Sequence, residues 1–280
     1  MLLQDILEWT AELAGCDEVP ADSQVHVEAS TDVRRVLFGI DIGLAEILFA
    51  REAGYDAVIA HHPIGGSAEI DFHRVVRRQI DQMVAEGVPL DTAEKAIDQR
   101  LERPHRLLHI ANVNRVVDTA RLIGFPVANI HLACDIITRQ SIIDLFSSRA
   151  DSASTVGDAI SWLNEFPEIV RGHTRPEAWL GDPGMLLGRH TVAIAGGTNG
   201  GHPVFREYFR AGIDTIVAMH IAEEDLARLR ADPLAEGRAL LLTGHMSADS
   251  IGINQVIAGL EARGIAVTRT SGIVAPPPRD

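Results

Sequence analysis

The chain has 280 residues, of which 46% are apolar and 5% aromatic, and a formal net charge of −14. That length exceeds one small core and predicts about two domains of ordinary size. The negative charge argues against nucleic acid as a main partner, since phosphate binding needs clustered Lys and Arg, and two cysteines, Cys16 and Cys134, make no disulfide framework.

In chain order, residues 1–9 place apolar side chains at helical spacing with no basic leader. They predict an amphipathic surface helix rather than a signal peptide, and with the unpaired cysteines a cytoplasmic setting. No apolar run is long enough to span a membrane. Residues 36–40 predict a strand ending at Asp41, and residues 44–53 a helix stopped by Gly54. The apolar run 57–60 predicts a buried strand. It ends in His61-His62-Pro63, where proline cannot donate to a ladder. A long helical region follows from about 72 to 124, punctuated by Gly87-Val88-Pro89 and Arg103-Pro104, with Gly124 capping its last helix, 114–123. Residues 127–131 predict another strand, and this alternation implies βαβ units with a mainly parallel sheet.

Residues 147–155, small and polar, form the best candidate boundary. Beyond them, 156–166 predict a helix and 171–189 turns with short strands. Residues 192–195 predict a strand feeding the glycine-rich stretch 196–201. A helix at 205–211, strands at 215–219 and 239–243, a helix at 253–263 and a last strand at 265–268 complete the pattern before a proline-rich tail. No internal repeat is visible.

Imidazoles and carboxylates recur at the predicted strand ends. His61-His62 follows the strand 57–60, His131 and Asp135 follow 127–130, and His245 and Asp249 follow 239–243. In a parallel sheet these carboxyl ends share the rim where ligands bind. His245 and Asp249, at i and i+4, share one face of a helix. Histidine with carboxylate suits zinc, iron, manganese or nickel better than calcium or magnesium. Cys134 fits a small buried apolar residue better than a ligand. The stretch 196–201 lacks both G-x-G-x-x-G and the P-loop Lys-Ser/Thr. His202 and His220 are candidates to line a pocket, His105 and His109 read as helix surface, and Glu223-Glu224-Asp225 as a helix start favoured by the dipole.

Several stretches resemble a known family. Ile40-Asp41, the segment Gly54-Tyr55-Asp56-Ala57-Val58-Ile59-Ala60-His61-His62-Pro63, and Ala128-Asn129-Ile130-His131-Leu132-Ala133-Cys134-Asp135 are similar to motifs of the Nif-three-like proteins. Ala211-Gly212-Ile213-Asp214-Thr215 and Gly244-His245-Met246-Ser247-Ala248-Asp249 follow in the family's order. The resemblance implies an α/β fold of two domains with mainly parallel or mixed sheets flanked by helices. It implies two divalent transition-metal ions held by His61, His62, Asp135, His245 and Asp249, with His131 close by, and a ring-like homo-hexamer. Residues 1–146 with 238–280 are then the first domain, carrying the ligands, and 147–237 a smaller second one. The family carries a GTP cyclohydrolase-like label, but no residue here independently supports a purine.

Three departures stand out. Asp249 replaces a family Glu, shortening the arm and predicting a weaker or asymmetric site. Ala133-Cys134 replaces Asn-Leu, and Met219-His220 stands where Gly-Glu is usual. The leading functional reading is a metal-dependent hydrolase of a polar small molecule, a nucleotide-like one among the candidates, with Asp135 the first choice of bridging carboxylate and Asp249 the second. A non-catalytic metal-binding or partner-scaffold protein needs the same ligands, and a mononuclear site would use His61, Asp135 and His245.

Overall fold

Four short strands supply the parallel part of one sheet. The computed structural model describes residues 1–194 and 200–277. Strands β1 (Gln24–Val27), β2 (Arg35–Gly39), β3 (Ala57–Ala60) and β4 (Val127–Asn129) lie in the first half. Strands β5 (Glu177–Leu180), β6 (His190–Val192), β7 (Thr215–Ala218), β8 (Ala239–Leu242) and β9 (Ala266–Thr270) lie in the second. The first sheet has the order β1-β4-β3-β2-β9, and the second β5-β8-β7-β6. β4, β3, β2 and β9 run parallel, and so do β8, β7 and β6, while β1 and β5 are antiparallel edges. Every residue of β3, β7 and β8 is buried, as expected where helices cover both faces of a parallel sheet.

The helices divide between the sheets by their apolar faces. Leu44–Glu52 and Arg115–Ile123 cover one face of the first sheet, packing Ile47, Ala50, Val117 and Ala120 on Leu37 and Val58. The amino-terminal helix Leu3–Leu13 packs on the other face through Leu3, Ile6 and Leu7. Helices in the stretch 72–108 pack instead with Gly201–Arg210 and Glu223–Ala231 on the second sheet.

Two long helices, Leu132–Arg149 and His245–Ala262, lie between the sheets and serve both. Cys134 and Ile137 of the first, with Ile253 and Val256 of the second, join the core of the first sheet. Ile142, Phe146, Ala248 and Ile251 join that of the second. A helix apolar on two sides shows no single stripe, which is why residues 132–149 give no clear helical signal in sequence.

The structure moves several predicted boundaries. The helix Leu90–Leu108 continues through Pro104 instead of ending there. The last long helix begins at His245, eight residues before the predicted 253. β6 covers His190–Val192, Ala193 and Ile194 lie outside it, and the glycine-rich residues 196–199 fall outside the described residues. β8 pairs with β7 and β5 in the second sheet, so the chain's return to the first sheet starts at His245, not at 238. An all-apolar strand carries no mark of which sheet it will join.

Candidate metal centre

β3 is followed directly by His61 and His62, and β4 leads through Ile130 to His131 at the cap of helix Leu132–Arg149. Asp135 lies one turn into that helix. His245 and Asp249 occupy the first turns of helix His245–Ala262, which follows β8 through Gly244. Gly244 has φ +89°, and a Cβ there would lie 2.4 Å from Thr174 Oγ1, so this turn needs glycine.

These elements bring the predicted ligands together. His61 Nε2 lies 3.5 Å from Asp135 Oδ1 and 3.8 Å from Asp249 Oδ1. Asp249 Oδ2 lies 3.6 Å from His62 Nε2 and 3.4 Å from His245 Nε2. The donors form overlapping groups: His61, Asp135 and Asp249, then His62, His245 and Asp249, then His61, His62 and His131. Asp249, not Asp135, is the carboxylate common to the first two. Its shorter arm still reaches the imidazoles on either side, so the sequence-based reason for an asymmetric site finds no counterpart in these distances.

Hydrogen bonds on the far nitrogens aim the rings. His61 Nδ1 lies 3.1 Å from the carbonyl of Ile130. A carbonyl only accepts, so Nδ1 carries the proton and Nε2 presents its lone pair to the carboxylates. His62 Nδ1 donates to Asp41 Oδ1 at 2.7 Å and His131 Nδ1 to Asp22 Oδ2 at 2.7 Å. Burial drives the His61 pKa down to about 3 against the pull of Asp249, keeping that ring neutral. Burial also opposes charge on His131, but Asp135 and Asp22 outweigh it and lift the pKa to about 9. His62 is likewise raised, with Asp249 and Asp41 overcoming burial, and burial raises Asp135.

The donor set fits metal ions. Among the described residues, His61 Nε2, Asp135 Oδ1 and Asp249 Oδ2 are buried atoms without a hydrogen-bond partner, although such atoms are rarely left unmatched. Two ligand atoms about 2.1 Å from one tetrahedral ion lie about 3.4 Å apart, close to the 3.4–3.8 Å between these imidazoles and carboxylates. Too far for good hydrogen bonds and too near to ignore one another, these atoms have the spacing of co-ligands.

Residues 1–108 match the Duf34/NIF3 (NGG1p interacting factor 3) family. A NIF3 superfamily protein from Sphaerobacter thermophilus is 40% identical and aligns over 97% of this chain and 98% of its own, with a TM-score of 0.91. The chain belongs to the NIF3 superfamily. Reduced HcgD from Methanocaldococcus jannaschii (TM-score 0.55, 11% identity, 96% and 97% of the two chains) and TTHA1606 from Thermus thermophilus (0.52, 14%, 99% of each) share the fold. No curated protein matches the sequence.

The pocket candidates separate in this NIF3 chain. His131 belongs to the cluster, its ring centroid 4.7 Å from that of His61 and 5.8 Å from that of Phe72. His220, just beyond β7, has its ring centroid 4.3 Å from that of His245 at a 41° tilt, and burial lowers its pKa to about 4. His202 instead lies 3.0 Å from Asp232 Oδ2, beside Arg206. His105 and His109 pair with each other on an exposed helix end.

Sequence reasoning passed over Asp22 and Asp41 as supports of the site. Asp41 follows β2, so its place at a strand end beside the histidine motif was a usable signal. Asp22 lies in the irregular segment before β1, where nothing in the pattern marks it.

Proposed function

We propose that this NIF3 protein holds two divalent transition-metal ions and is a metal-dependent hydrolase of a polar small molecule. The observation that carries the proposal is the convergence of three unpartnered buried atoms, on His61, Asp135 and Asp249, within a cluster of imidazoles. His61 and Asp135 would hold one ion and His62 and His245 the other, with Asp249 contributing to both. When bound, such ions supply Lewis acidity, lowering the pKa of water and polarising a substrate.

The chain's own residues do the rest. The Ile130 carbonyl and Asp41 keep His61 and His62 in the tautomer that ligates through Nε2. Asp22 accepts from His131 Nδ1 and holds that ring beside Asp135. Phe72 covers His131, while His62 and His245 keep side-chain exposures of 23% and 35%. This one-sided access favours turnover over closed storage, because a catalytic site needs an open side. Among the described residues, no helix is long and apolar enough to cross a membrane. A cytoplasmic homo-hexamer, proposed on the family resemblance, is tested by sedimentation equilibrium, where a species of the 30.3 kDa chain mass would refute it.

Metal analysis of protein purified without chelator tests the centre. About two ions per chain are expected, and none at high affinity in a His61→Ala/His62→Ala variant. Unchanged stoichiometry in that variant refutes the assignment. A screen of loaded protein against phosphoesters, amides and purine nucleotides tests turnover.

A further inference from the structure

A cavity of 230 Å³ opens beside His62. One wall is the segment after β3, which contributes His62, Ile64 and Glu69, joined by Asp41 from the end of β2. The other is the segment leading into helix Arg115–Ile123, which contributes Asn112 and Arg115. The walls meet closely: a Cβ on Gly65 would lie 2.2 Å from the Val113 carbonyl, and the Gly66 N–H donates to Asn114.

The polar groups around this cavity differ in kind. Among the described residues, the side chains of Glu69, Asn112 and Arg115 make no hydrogen bond or ion pair. For exposed Asn112 and Arg115 that is ordinary. Glu69 is half-buried, and burial raises its pKa, so it loses hydration without gaining a partner. The lining therefore carries both signs. Arg115, which begins a nine-residue helix, brings a guanidinium and a helix N-terminus. Glu69 and Asp41 bring carboxylates. Ile64 adds apolar surface, and convergent polar groups on an apolar wall mark small-molecule sites.

We propose that this cavity binds a small zwitterion of amino-acid or dipeptide size, and that it is the substrate pocket of the metal centre. The anionic group faces Arg115, and the ammonium faces Glu69 and Asp41. Asp41 also accepts from His62 Nδ1, so the ligand touches the residue that aims a proposed metal ligand. The volume falls below the roughly 300–1,000 Å³ of drug-sized pockets, which disfavours a nucleotide. The proposal deepens the hydrolase reading and rests on it for turnover, but not for binding.

The test is calorimetric titration of the full chain, metal-loaded and chelator-treated, with the proteinogenic L-amino acids and glycyl dipeptides. N-acetyl and C-amide derivatives serve as single-charge controls. At least one zwitterion is expected to bind, with either control about tenfold weaker or worse, the loss typical of one charge-assisted contact. Arg115→Gln should weaken the zwitterion about tenfold and abolish its advantage over the C-amide. Glu69→Gln should abolish its advantage over the N-acetyl form. Metal content should stay unchanged in both. No binding by any zwitterion, or equal binding of zwitterions and controls, overturns the proposal. Metal bound without zwitterion binding sinks the pocket alone, whereas zwitterion binding in protein that takes up no metal supports the pocket and sinks the metal reading.

Discussion

Gly252 decides how closely the two central helices approach. A Cβ built there would lie 2.0 Å from the Cys134 carbonyl oxygen and 2.8 Å from Thr138 Oγ1. The same contact is stitched by hydrogen bonds, Gly252 N to Thr138 Oγ1 at 2.9 Å and Thr138 Oγ1 to the Ala248 carbonyl at 3.0 Å. Ordinary contact begins at 3.4 Å, so Gly252→Ala must push the helices apart by about 1.4 Å. Asp135 sits on one helix beside Cys134, and Asp249 on the other, one turn before Gly252. Metal–ligand distances tolerate only about ±0.2 Å, so the displacement should cost about 10- to 100-fold in zinc affinity, the range seen when a ligand's support is removed. Overpacking should also cost about 1–3 kcal/mol of stability. Chelator competition reads the first effect and denaturant unfolding of metal-free protein the second. Gly259→Ala is the control: its Cβ meets the Trp9 ring at 2.4 Å, far along the helix from the ligands, so it should lower stability and leave zinc affinity alone. Parental zinc affinity in Gly252→Ala would show that helix spacing does not set the centre.

Other changes separate the roles of individual carboxylates. Asp249→Glu adds about 1.5 Å of arm to a side chain that is 1% exposed, and should weaken zinc binding; a gain in affinity would mean the site suits the longer acid. Asp22→Asn should lower the His131 pKa from about 9, read by imidazole NMR in chelator-treated protein, and an unmoved titration would remove Asp22 from its role. Burial opposes the charge on Asp232, but Arg206, the Leu234 N–H and His202 outweigh it and hold its pKa at about 2. A depressed acid stabilises above its unfolded pKa of about 4 and loses that contribution as pH falls toward 2. Asp232→Asn should therefore be less stable than the parent at neutral pH, with the gap closing between about pH 4 and 2; a gap independent of pH would contradict this.

What sequence reveals here follows from where each element's neighbours lie. The strands at 57–60, 215–218 and 239–242 stand out because helices on both faces demand continuous apolar runs. The ligand set stands out for the same reason, since each pair follows such a run. β1 passes unnoticed because Gln24-Val25-His26-Val27 alternates as an edge strand and is only four residues long. Helix Leu132–Arg149 is hidden because both sheets claim it, which confines its exposed polar face to the second half, at Gln140, Asp144, Ser147 and Ser148. Asp22 is invisible because its contact with His131 spans 109 residues and depends wholly on tertiary placement. Sequence order likewise cannot tell that Asp249, rather than Asp135, lies between His61 on one side and His62 with His245 on the other.

The route of the chain explains why metal removal should be felt in stability. β8 belongs to the second sheet, yet the helix that follows it packs Ile253, Val256 and Leu260 on the first. His245 and Asp249 sit at this crossing, opposite His61 and His62 at the end of β3. Without metal, Asp135 and Asp249 are carboxylates at 7% and 1% side-chain exposure, facing imidazoles at distances too long for strong hydrogen bonds. Buried charges left so poorly matched are costly, and bound ions would relieve that cost only in the folded chain. By mass action, free metal at about 100 times its dissociation constant adds about 2.7 kcal/mol, or about 5–10 °C in Tm for a chain of roughly this size. The check is thermal unfolding of chelator-treated protein across a zinc titration, with His61→Ala/His62→Ala beside it. The parent's Tm should climb with zinc and the variant's should not. A parent Tm that ignores zinc would mean that the crossing is held by packing alone.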